Sequence, residues 1–210
     1  MLEHRWSQTA PPDFVAGQDE GEVSKEYEAS KASAALALGS VGVQFLDLAK
    51  VQPASLICVG ARKGYEALPF INRWSELDVT CVDVNPAFEA DAEKYGFSFV
   101  CADANNLEFE DQAFDVLLSL CTVEHFWNPR SAIAEILRVT KKAAIISFPM
   151  ESPEEFHKDP HHYTRIDTFS EWIAMMEEYQ DWMLRYLLTT GFKGDRPVHF
   201  IAGFTRKGAV

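Results

Sequence analysis

Through the middle of the chain, apolar residues fall into short continuous runs, each followed by a stretch with helical spacing. The runs "ASLICVG", "DVTCVDV", "FSFVCAD", "FDVLLSL" and "KAAIISFP" predict five buried strands. Between them, "YEALPFINRWSE" predicts a helix weakened by Pro69. "NPAFEADAEKYG" predicts a helix opened by Asn85-Pro86 and closed by Gly96, and "PRSAIAEILRVT" an amphipathic helix. Strands and helices alternating at this spacing imply parallel strands joined by right-handed crossovers.

The flanks differ. "KEYEASKASAALALGSVGVQFLDLAK", behind Ser24, has helical spacing, and Gly39 is expected to divide it into two helices. Residues 1–23, with "APPDF" and "AGQDEGE", show no periodicity and are expected to form a flexible arm or lid. Residues 24–210 are then a single domain. Near the other end, the helical "TFSEWIAMMEEY" precedes two strand-like runs, "DWMLRYLLTT" and "VHFIAGFTRKG". Their link, "GFKGDRP", is too short for a helical crossover, so the pair should be an antiparallel hairpin.

Composition narrows the partners. The 210 residues are 47% hydrophobic, enough for one substantial core. No apolar run approaches the ~20 residues that span a bilayer, and "MLEHRWSQTAPPDF" lacks the apolar core of a secretory signal. A cytoplasmic protein with no membrane partner, monomeric or homodimeric, is expected. The formal charge of -13, without a clustered basic stripe, argues against nucleic acid. Cys58, Cys81, Cys101 and Cys121 stand far apart, so they read as small buried hydrophobes in a reducing compartment, and no metal is expected.

Ligands of an open α/β sheet sit beyond the carboxyl ends of its strands. The first such end, "ICVGARKGYE", fails the dinucleotide fingerprint because Arg62 and Tyr65 stand where its second and third glycines belong. A ligand without phosphates relaxes that demand. Gly60 allows a sharp turn, and Gly64 lets the next helix start close to the sheet. Asp83 closes the second strand, where a carboxylate can accept from both hydroxyls of a ribose. Asp103 closes the third, placed to accept from the exocyclic amine of adenine. Each alone could be a turn or cap residue, but together they point to an adenosine without phosphate.

From about residue 40 onward, the chain resembles the class I S-adenosylmethionine-dependent methyltransferases of the small-molecule type. "SLICVGARKG", "VTCVDVNP", "FVCADANNLEFEDQAFDVLLSLCTVEHFWNP" and "AIAEILRVTKKAAIISFP" carry the resemblance. It implies a Rossmann-like, doubly wound α/β sheet of seven strands in the order 3-2-1-4-5-7-6, the last antiparallel, with helices on both faces. It implies S-adenosylmethionine as cofactor, with Gly60, Ala61, Arg62 and Gly64 toward its methionine. Asp83 and Val84 then lie at the ribose, Asp103 and Ala104 at the adenine, and Ser119, Leu120 and Cys121 near the methionine end. Where the family's loop reads acid-x-G-x-G-x-G, this chain has Cys58, Gly60, Arg62 and Gly64, and "RVTKKAA" replaces a glycine-containing turn. Arg62 is expected to point outward or to pair with Glu66.

His125, in "TVEHFWNP", falls where an acceptor belongs, as base or orienting group or as a histidine that caps and packs. Beside it Glu124, and from "FHKDPHHYTRI" His161, His162 and Tyr163, are candidates to touch the acceptor. His157, Asp159, His161 and His162 stand close enough in sequence to hold a divalent metal, but Pro160 breaks any helix aligning His157 with His161, which gives a metal little support. Trp127, Trp172, Trp182, Phe126 and Phe156 are core aromatics that could also wall an apolar pocket. The proline-rich signature of amino-methylating nucleic-acid enzymes is absent, since "LCTVEH" stands in its place. A small-molecule acceptor, methylated at oxygen or nitrogen, is expected, a peptide second. The rival reading is a binding or scaffold protein that has lost catalysis, motivated by Cys58 and Arg62.

Overall fold

The computed structural model describes residues 3–4, 14, 25–166, 168–193 and 196–209. Seven strands form one sheet: β1 (Ser55–Val59), β2 (Asp78–Asp83), β3 (Ser98–Cys101), β4 (Phe114–Leu120), β5 (Thr140–Pro149), β6 (Trp182–Lys193) and β7 (Arg196–Arg206). Their order is β3-β2-β1-β4-β5-β7-β6, as the resemblance implies. β1 to β5 pair in parallel, and β7 runs antiparallel to both β5 and β6. A separate two-residue pairing joins Glu3–His4 to Thr164–Arg165.

β1, β2, β4 and β5 are buried on both faces, as inner parallel strands must be, whereas the edge strand β3 is only half-buried. Successive residues alternate between two cores. Ile57, Val82, Leu117 and Ile146 pack on one face beneath α4 (Pro129–Arg138) and α6 (Phe169–Met176). Leu56, Cys58, Cys81 and Leu118 pack on the other, beneath α1 (Lys25–Ala49) and α2 (Leu68–Arg73).

Gly39 does not divide α1, which runs unbroken for 25 residues. A Cβ at Gly39 would lie 2.2 Å from the Glu66 carbonyl oxygen, so the glycine serves a close approach of helix to chain rather than a break. By length and composition α1 is also apolar enough to cross a bilayer, which the sequence reading overlooked because charges and glycines interrupt its run. Here Phe45 and Leu46 of α1 are buried in the core, while Leu48 stays exposed.

Pro69 sits in the first turn of α2, where its missing N–H costs nothing, and a 3₁₀ turn (Tyr65–Ala67) precedes it. The Asn85 carboxamide caps the 3₁₀ turn Pro86–Phe88 that leads into α3 (Glu89–Glu93), and Gly96 follows at φ +76°. An unforeseen short helix, α5 (Pro153–Lys158), opens on a capping box between Ser152 and Glu155. All four cysteines are free thiols. Cys58 and Cys81 are buried as expected, but Cys101 is exposed because β3 is an edge strand.

Candidate active site

A cleft of about 910 Å³, counting its open mouth, lies at the carboxyl ends of β1 to β4. Of the residues expected in a cofactor site, Gly60, Arg62, Asp83, Val84, Asp103 and Ala104 line it. The loop after β1 is held from below: the Gly60 and Ala61 amides both donate to the Val82 carbonyl, at 2.8 and 3.1 Å. Gly60 has φ +72°, and a Cβ there would fall 2.1 Å from Thr122 Cγ2. Only glycine permits that turn beneath Thr122.

The Asp83 carboxylate accepts from the Arg62 amide at 2.9 Å and the Asn85 amide at 3.0 Å. Burial raises its pKa, and those two backbone bonds oppose the rise. Each oxygen keeps a lone pair, so ribose hydroxyls remain within its capacity. Asp103 is oriented by the Trp127 indole N–H at 2.8 Å and by the Asn105 amide at 2.8 Å.

Arg62 takes φ +45°, a left-handed backbone that favours glycine. Its guanidinium does not pair with Glu66. It stands 3.8 Å from Glu28 of α1 and over the Phe88 ring at 5.5 Å. The expected pairing fails because Glu66 is buried beneath the loop, where burial, aided by the charge of Asp83, pushes its carboxyl up to about 8. Gly64 faces away from the cleft, toward Cys81 Sγ and the Phe97 ring, so it serves helix–sheet packing. Ala61, Ser119 and Leu120 also lie outside the lining; the first two are buried, and Leu120 is half-buried.

The far end of the cleft is made by two loops, one after β4 and one after α5. They are stapled together. The Tyr163 amide donates to the Glu124 carbonyl at 2.7 Å, and Thr164 Oγ1 donates to the Phe126 carbonyl at 3.1 Å. His125 Nδ1 lies 3.2 Å from the His161 carbonyl oxygen. A carbonyl only accepts, so Nδ1 carries the proton and Nε2 keeps its lone pair. Burial, aided by the charge of His162, pushes the His125 pKa down to about 4, leaving the ring neutral at physiological pH.

His125 and His161 line the cleft. Glu124, His162 and Tyr163 stand behind them: Glu124 is buried, the His162 ring is edge-on to His125 at 4.7 Å, and Tyr163 is buried against Phe14. Of the five singled-out aromatics, only Phe126 reaches the cleft, and Trp172 and Phe156 are fully buried core.

Sequence reasoning missed Phe14, Lys31, Phe88 and Thr122, all of which line the cleft. Phe14 was a lone aromatic in a segment without periodicity, and only its packing against Trp127, Tyr163 and Val84 gives it a place. Among residues 1–23, Glu3, His4 and Phe14 are described; the expected arm or lid otherwise lies outside the described residues. Cys121, at φ +52°, also lines the cleft; its Sγ lies 3.6 Å from Ser147 Oγ, and burial, then the charge of Glu124, pushes its pKa up to about 12.

Residues 57–148, which carry the cofactor loop and both strand-end aspartates, match a family described as methyltransferase domain. Over those residues, under half of its length, the chain is similar to methyltransferase domains. A methyltransferase of Bacillus subtilis, YcgJ, is 30% identical over 139 residues, which are 58% of this chain and 54% of that protein. The malonyl-[acyl-carrier protein] O-methyltransferase of Halorhodospira halophila is 25% identical over 118 residues, 54% of this chain and 40% of that protein. The chain thus spans about half the length, or less, of these curated relatives. Among solved structures, the plantazolicin methyltransferase BpumL in complex with SAH shares the fold at TM-score 0.66 and 16% identity, over 92% of this chain and 95% of that one.

The cofactor that the methyltransferase resemblance implies is S-adenosylmethionine. The residues present fit it. Asp83 and Asp103 keep acceptor capacity toward the cleft, and the missing Cβ of Gly60 keeps the turn below Thr122 open. The substituted Arg62 preserves the backbone that the loop requires.

Proposed function

We propose that this protein transfers the methyl group of S-adenosylmethionine to an oxygen or nitrogen of a small-molecule acceptor by in-line displacement. The observation that carries this reading is the cleft itself. Two oriented strand-end carboxylates lie at one end, and at the other stands a neutral imidazole with a free Nε2.

The cofactor supplies an electrophilic methyl on a sulfonium. The protein's task is to align the acceptor with it, exclude water and receive or direct a proton. Alignment can contribute ~7–11 kcal/mol and a general base ~10²–10⁴-fold. Asp83 and Asp103 hold and orient the adenosine. His125, through Nε2, orients the acceptor or takes its proton, and its neutrality keeps that lone pair available at neutral pH. Lys31 of α1 adds a positive charge on the same cleft, suited to an acceptor with an anionic oxygen. The named relative that acts on malonyl-[acyl-carrier protein] has an acceptor of that chemistry. Phe14 and Phe126 wall the cleft with apolar surface that excludes water.

The scaffold reading rested on Cys58 and Arg62. Cys58 is a buried core residue, and Arg62 keeps the loop in shape. Both observations favour a working site. Calorimetry with S-adenosylmethionine and its demethylated product tests the proposal: micromolar binding is expected, and no binding at millimolar ligand would overturn it.

A further inference from the structure

Behind the acceptor end of the cleft, Glu124, His125 and His162 each bring one donor atom to within 4.8 Å of the others. They come from two loops, and the fold fixes which atoms remain for a ligand. His125 gives its Nδ1 proton to the His161 carbonyl, leaving Nε2. His162 gives its Nδ1 proton to Glu151 Oε2 at 2.8 Å, and a metal would take its Nε2, which faces Asp159 Oδ2 at 3.4 Å, by displacing the proton there. Glu124 Oε2 is buried with no hydrogen-bond partner. An orphaned buried carboxylate oxygen is costly unless something cationic meets it. Imidazoles whose second nitrogen is fixed by a carbonyl or a carboxylate are the usual outer arrangement of metal-bound histidines.

We propose that Glu124, His125 and His162 bind one divalent transition-metal ion, zinc or a similar cation, at the acceptor end of the cleft. Two imidazoles and one carboxylate suit such an ion and leave a coordination position open. Donors around tetrahedral zinc stand roughly 3.3 Å apart, so the three side chains close inward on binding. Asp159, with Oδ2 at 3.4 Å from His162 Nε2 and its side chain on the cleft, sits beside the open position. Of the cluster weighed for a metal from sequence, His157, Asp159, His161 and His162, only His162 is in the set, and Glu124 and His125 were not weighed as ligands.

The site deepens the methyltransferase reading and rests on it for its purpose. An acceptor hydroxyl or carboxylate on the open position would be held by the cation, and a hydroxyl there would lose its proton to solvent more readily. His125 is then an orienting ligand rather than the base itself.

The test uses the whole chain without cofactor, titrated with Co²⁺ and followed by its visible absorption, with Zn²⁺ as competitor. One equivalent of metal should bind. Loss of a second-shell partner typically costs ~10–100-fold in affinity, so Glu124→Gln and His162→Gln should each weaken it by at least about a hundredfold. His157→Gln, at an exposed position, should leave it within about threefold. If either variant fails to fold, the wild-type decides: Zn²⁺ should shift the ring-proton resonances of His125 and His162, and not that of His157. No binding at millimolar metal, binding indifferent to Glu124→Gln and His162→Gln, or ring shifts confined to His157 would overturn the site. Cofactor calorimetry requires no metal, so failure here is distinguishable from failure of the methyltransferase reading.

Discussion

The two ends of the cleft are built on different principles. The adenosine end is made where β1, β2 and β3 stop, and its geometry is set by main-chain bonds: Gly60 and Ala61 to Val82, Arg62 and Asn85 to Asp83. The acceptor end is made of two loops separated by more than thirty residues, tied by Tyr163 to Glu124, Thr164 to Phe126 and His125 to His161. The first can tolerate a changed side chain if the backbone is kept, as Arg62 at φ +45° shows. The second depends more on side-chain identity, because two of its three ties run through the Thr164 and His125 side chains, and the free lone pair belongs to His125.

That contrast can be broken from either side. The largest effect is expected at the acceptor end. His125→Asn can retain a donor for the His161 carbonyl but loses the lone pair of Nε2, so turnover should fall by ~10²–10⁴-fold. Affinity for S-adenosylmethionine should stay within about twofold, and unchanged turnover in a steady-state assay would remove His125 from the chemistry. At the other end, Gly60→Val places a Cβ against Thr122 in a left-handed turn. Cofactor affinity by calorimetry should drop by more than about a hundredfold, a loss of roughly 3 kcal/mol.

Glu66 tests the support beneath the loop. Its folded pKa, about 8, lies above the ordinary carboxyl value of 4.5 because burial disfavours the charge. The folded state therefore holds this proton more tightly than the unfolded one. The stabilisation is full below about pH 4.5 and is lost as pH rises through about 8. Glu66→Gln should flatten that decline, raising stability at pH 9 by up to about 4 kcal/mol while changing little at pH 5. Chemical denaturation at the two pH values measures it, and equal effects at both would show that Glu66 does not titrate on unfolding.

The smallest effect is expected at Arg62. Arg62→Gly restores the family's residue, relieves a left-handed non-glycine backbone and removes the charge near Glu28. These changes oppose one another, so cofactor affinity should change by less than about tenfold. A far larger loss would mean that the guanidinium itself holds the cofactor, and the rule that backbone alone governs this end would fail.

Legibility in the sequence follows the same division. Strand ends are marked by where an apolar run stops, and that is why Gly60, Asp83 and Asp103 could be placed on one cleft from their positions alone. Gly64 packs against Cys81 and Phe97, as its reading as the residue that lets the helix start close to the sheet requires, whereas the cofactor contact implied for it by the resemblance is not seen in the cleft lining. Gly39 read as a helix break. Propensity describes the isolated helix, whereas here the absent Cβ admits the Glu66 carbonyl. Lys31, Phe14 and Thr122 carried no local signal at all.

The sequence by itself determined the alternation of strands and helices, the antiparallel closing hairpin and the two aspartates at the adenosine end. These depend on local periodicity and on connection lengths, both written along the chain. The sheet order came only with the family resemblance. Only the tertiary structure decided which lone pairs remain at the acceptor end and how Glu124, His125 and His162 come together. It alone also showed Arg62 doing a glycine's work. Those outcomes arise from hydrogen bonds between segments far apart in sequence, and such partners exist only once the sheet has brought the loops to one edge.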